Sequence, residues 1–89
     1  MTRYDNTINP MIPNSSFSSH VEIFRTDITN TVPADICVLV LSEYFPNASI
    51  NFDLEDQDRI LRIEARDVDV LKITEIVKDL GIYCELLEG

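Results

Sequence analysis

Cys37, Cys84, His20 and a large set of carboxylates are the side chains in this sequence best suited to hold a metal or move a proton. Cys37 lies one helical turn after Pro33 on the face of Leu41, and Cys84 alternates with Ile82 and Leu86. Such placing reads as two buried small hydrophobes, the ordinary state of a free cysteine. The chemical alternative is a soft-metal site at Cys37 or Cys84, for which no third or fourth ligand is defined, because His20 is the one histidine. Asp53, Glu55, Asp56 and Asp58 crowd one short stretch, yet the glycine and the distal bidentate Glu of a calcium loop are missing, and a solvated hairpin turn accounts for them. A phosphate cradle would need glycines, and the chain has only Gly81 and Gly89. A nucleophile–histidine–acid set would need a rigid scaffold to hold His20 within about 3 Å of a serine. These spacings point away from an enzyme and imply no cofactor.

The chain that must position these residues has 89 of them, enough for one small domain. Seven Lys+Arg against sixteen Asp+Glu leave a net charge of −9, a field that repels nucleic acid and anionic membranes. At 45% apolar residues it is too hydrophobic for a disordered acidic tail. Its longest apolar run, Ile36 to Leu41, is far short of the ~18 residues that suggest a membrane span. Two cysteines do not make a disulfide-stapled module, and the first residues carry no apolar signal core, so a cytoplasmic setting is expected.

Composition changes near Val21. Residues 1–20 hold Pro10, Pro13, four Ser and three Asn without a sustained period, and are expected to form a mobile tail, leaving 21–89 as the domain. The domain opens with Val-Glu-Ile-Phe-Arg-Thr-Asp-Ile, a strand broken at Thr29-Asn30-Thr31. Pro33 suits a first helical turn, with Asp35 near the positive end of the dipole. The run Ile36 to Leu41 also fits a buried strand, but continuity to Pro46 favours a helix over about 33–45 with Ile36, Cys37, Val40, Leu41 and Tyr44 inward. Ser49–Leu54 and Ile60–Ala65 alternate and predict a hairpin, with Leu61, Ile63 and Ala65 inward. Asp67 or Asp69 caps a second helix carrying Val70, Ile73, Ile76, Val77 and Leu80, stopped at Gly81. Ile82–Leu87 is a fourth strand with Ile82, Cys84 and Leu86 inward.

The order β-α-β-β-α-β predicts an α+β, ferredoxin-like sandwich, a four-stranded antiparallel sheet in the order 4-1-3-2 with both helices on one face. That fold carries many unrelated functions. From Val21 to Gly89 the sequence resembles a heavy-metal-associated domain of the copper-chaperone kind. The resemblance rests on Ile-Phe-Arg-Thr-Asp-Ile, Ile-Asn-Phe-Asp-Leu-Glu, Arg-Ile-Leu-Arg-Ile-Glu and Leu-Gly-Ile-Tyr-Cys-Glu-Leu-Leu. The family carries Met-x-Cys-x-x-Cys after its first strand; here Ile28 falls on the methionine and Asn30 and Pro33 on the cysteines. Soft Cu(I) and Zn(II) want thiolates, which Asn30 and Pro33 cannot provide. Ile82, at a position near the metal where relatives often have Tyr or Lys, is equally inert. The resemblance therefore implies a degenerate, metal-free relative.

If Phe24 and Ile28 point to the helices, Val21, Ile23 and Arg25 lie on the open sheet face beside Ile60, Arg62, Tyr83 and Leu87. That makes an apolar patch with two arginines, either an ordinary open face or a contact surface. Ile23 and Ile60 stand where an RNA-binding sheet would want aromatics. The expected function is a non-enzymatic binding or scaffolding domain acting through an unknown protein partner or as a homodimer. A soft-metal carrier and a small-ligand regulatory domain are the alternatives.

Overall fold

A computed structural model describes residues 19–87 of the chain. The expected tail therefore falls outside the described residues except for Ser19 and His20, and His20 is already the first residue of a strand. The elements are β1 (His20–Thr26), α1 (Thr31–Tyr44), β2 (Ser49–Asp53), β3 (Ile60–Ala65), α2 (Val70–Asp79) and β4 (Cys84–Leu87). All strand pairs are antiparallel, in the order β2-β3-β1-β4, which reads 4-1-3-2 from the opposite edge. This is the ferredoxin-like α+β fold.

Local chemistry sets the helix ends. The Asn30 side chain accepts from the Val32 N–H at 3.1 Å and caps α1, satisfying one of the donors a helix start leaves open. Pro33, third in the helix, needs no partner for its nitrogen. Asp35 lies beyond the first turn, which holds no acidic residue, so the expected dipole contact at that turn is not made. Phe45 leaves helical geometry ahead of Pro46, while its N–H still donates to the Leu41 carbonyl at 2.8 Å. In α2 the cap is Asp69 rather than Asp67, accepting from the Lys72 N–H at 3.1 Å. Gly81 (φ +83°) takes the left-handed stop, where a side chain would be strained.

One face of the sheet meets both helices. Phe24, Ile28, Ala34, Cys37, Leu41, Leu61, Ile63, Ile73, Ile76, Val77, Ile82 and Cys84 form one buried cluster. Full burial of a large aliphatic or aromatic side chain contributes about 1.5–3 kcal/mol, and Phe24, Leu41, Leu61, Ile63, Ile73 and Val77 are the large side chains buried to that extent. The expected inward stripe of α1 needs correction. Cys37 and Leu41 are buried and Val40 packs against the core, but Ile36 and Tyr44 are exposed, and Ala34 takes the remaining inward position. Leu80 is also exposed, since it follows the last turn of α2 as the C-cap. Ile82 and Tyr83 precede β4 rather than belonging to it; the Tyr83 N–H donates to the Asp27 carboxylate at 3.1 Å instead of to a neighbouring strand.

Candidate functional site

Directly opposed residues in antiparallel strands share a face, so the register lays out the open side of the sheet. One row runs Asn51, Arg62, Ile23, Leu87 and the next Asp53, Ile60, Arg25, Glu85, with Ser49, Glu64 and Val21 behind them. Val21 and Ile23 are exposed, Ile60 and Leu87 half-buried, and Arg62 exposed between them. Of the expected patch residues, Val21, Ile23, Arg25, Ile60, Arg62 and Leu87 thus share the side opposite the helices, while Tyr83 precedes β4 and meets that side at Glu85. A shallow depression there is lined by Ile23, Ile60, Leu87 and Arg62, with Asn51, Asp53, Asp58 and Glu64 around them. The polar rim was readable from the alternation of Ser49–Leu54, which turns Asn51 and Asp53 to the same side as Arg62.

The two arginines differ. Arg25 Nε donates to Asp58 Oδ1 at 3.1 Å and its Nη1 to Glu85 Oε1 at 3.3 Å, so this guanidinium is engaged within the chain. The hairpin turn brings Asp58 back over β1 to meet it. Arg62 makes no ion pair among the described residues. The Tyr83 hydroxyl donates to Glu85 Oε1 at 2.9 Å, and that hydrogen bond holds the phenol above its ordinary pKa. Tyr83, Glu85, Arg25 and Asp58 thus form a connected polar border along one end of the apolar patch.

At the other candidate positions, side chains serve the fold. Ile28 is in the core, Asn30 is the α1 cap and Pro33 lies in its first turn. Cys37 and Cys84 are free and buried; burial pushes both thiols from 9.0 to about 11, with each other's proximity adding to the effect at Cys37. Thiols in that state are protonated at neutral pH and are poor ligands and nucleophiles. Among the described residues no three His, Cys, Asp or Glu side chains converge on a metal-sized site. Asp53 and Asp56 accept from the Glu55 and Asp58 N–H groups at 3.2 and 2.8 Å, which makes the acidic stretch a hydrogen-bonded turn. His20 is exposed at the sheet end opposite Ala65. No helix among the described residues is long and apolar enough to cross a membrane.

No protein-family model, curated protein or solved structure matches the chain.

Proposed function

We propose that this chain is a small, non-enzymatic protein-binding or scaffolding domain of the cytoplasm, a metal-free relative of heavy-metal-associated domains, whose contact surface is the open sheet face. The observation that carries the reading is the row Arg62, Ile23, Leu87 with Ile60 beside it, an apolar strip around an exposed guanidinium on a rigid four-stranded scaffold. A buried apolar centre with arginine and a polar rim is the usual make-up of a protein contact. Arg62 pairs with a carboxylate of a partner or of a second copy, while Arg25 stiffens the border through Asp58 and Glu85. The metal-free character is supported by the structural work of Asn30 and by the protonated, buried thiols.

Ile23→Asp tests this surface. Ile23 is exposed, so the variant keeps the fold, and the new charge at the centre of the strip weakens association measured by sedimentation over a concentration series and by affinity capture from the native cells. A folded variant that associates as the wild type does removes the sheet face from consideration.

A further inference from the structure

We propose that the outer side of α1 is a second docking surface, taken by an amphipathic segment of another protein whose apolar stripe is flanked by lysines or arginines. Val32, Ile36 and Leu39 follow one another at helical spacings of four and three, so they form one continuous stripe. They are 65%, 49% and 68% exposed, on the side of the helix turned away from Cys37 and Leu41. A helix that is apolar on both sides is expected to be covered on both, and here the sheet covers one. Three adjoining aliphatics differ from the single exposed hydrophobics that any surface carries.

Charge selects the occupant. The charged residues of α1 are Asp35 and Glu43, both exposed and both acidic, with no lysine or arginine in the helix. Asp35 is four residues before Leu39 and Glu43 four after it, so a carboxylate stands close to the stripe on either side of Leu39. Among the described residues, the cation seen against α1 is Lys72, which lies over the Tyr44 ring at 5.5 Å and pairs with Glu75, away from the stripe. A second copy of α1 would set carboxylates against carboxylates with no helix cation to offset them, within a chain of net charge −9. An anionic membrane meets the same repulsion. A basic amphipathic helix supplies both the apolar face and the opposite charge.

The probe is a synthetic helical peptide with a leucine stripe bordered by lysines, compared with a peptide of the same composition scrambled to destroy the stripe. Binding to the full chain is read by fluorescence anisotropy at physiological ionic strength. The ordered peptide should bind roughly ten-fold or more tightly than the scrambled one. Leu39→Glu and Val32→Glu should each weaken it by a similar factor although each adds a negative charge, whereas Ile23→Glu, on the opposite side of the molecule, should not. Circular dichroism identifies any variant that loses its fold, and the other α1 variant then decides. Equal binding of the two peptides, or binding that is kept or strengthened in the α1 variants, reduces the attraction to net charge and overturns the proposal. A wild-type dimer that dissociates on Leu39→Glu would overturn it in favour of a second copy. Loss of binding in Ile23→Glu alone would return the contact to the sheet face.

Discussion

The Thr26 hydroxyl donates to the Arg59 carbonyl at 2.6 Å, joining the end of β1 to the residue that closes the β2–β3 turn in a left-handed conformation (φ +49°). The same oxygen accepts from the buried Ile28 N–H at 3.3 Å, and the Arg59 guanidinium returns to the Leu54 carbonyl. This clasp holds Asp58 where Arg25 reaches it.

Thr26→Val keeps the shape and removes the hydroxyl, leaving the buried Ile28 N–H without its acceptor, while the Arg59 carbonyl keeps only the Thr26 backbone N–H at 3.2 Å. A loss of about 1–3 kcal/mol in urea unfolding is expected. Thr26→Ser should recover most of it. Equal stability of the valine and serine variants would show that the clasp contributes little.

Asn30→Ala should cost about 1 kcal/mol, and Asn30→Asp should be tolerated, because an aspartate caps as well and suits the helix dipole. Thermal unfolding of the three proteins checks the order. Alanine as stable as asparagine would remove the structural explanation for this residue.

The reduced wild-type protein should bind neither Cu(I) nor Zn(II) one-to-one more tightly than micromolar. Asn30→Cys with Pro33→Cys places Cys-x-x-Cys at the start of α1, where the helix end favours thiolates, and should create Cu(I) binding in competition titrations. Tight binding by wild type that disappears on Cys37→Ser or Cys84→Ser would replace the metal-free reading with a carrier. A double variant that gains nothing would count against the heavy-metal-associated resemblance.

Both core thiols have folded pKa values raised from 9.0 to about 11. The unfolded chain therefore releases these protons first, so their contribution is complete below pH 9 and declines as pH rises toward 11. Replacing both cysteines with alanine should flatten that alkaline decline in denaturation curves taken across this range. At neutral pH, disulfide-exchange reagents should label the native thiols only as fast as the protein opens. Immediate labelling of the folded protein would contradict their burial.

The Tyr83 phenol should titrate at lower pH in Glu85→Gln than in wild type, because the carboxylate that accepts its proton is gone. Ultraviolet titration, with Tyr83→Phe identifying the signal, measures the shift. An unchanged titration would break the connected border between Tyr83 and Arg25.

Element order was legible in the sequence because strand alternation, a helix start at Pro33, a cap at Asp67 or Asp69 and the stop at Gly81 are local features, whereas the capping role of Asn30 was not read from it. The inward set on the strands was legible for the same reason: once Phe24 faces the helices, a period of two places Ile23 and Arg25 on the other side. Ile36 to Leu41 supplied no such phase, since an unbroken apolar run has no polar face to mark the outside. Only packing against the sheet chose Ala34, Cys37 and Leu41 over Ile36 and so left Val32, Ile36 and Leu39 exposed. The partners of Arg25 were equally beyond local pattern. Asp58 and Glu85 lie 33 and 60 residues away, and strand register together with the Thr26–Arg59 clasp brings them to one guanidinium. Side-chain period is a property of neighbouring residues, whereas helix rotation and ion pairing between distant strands exist only after the layers have closed.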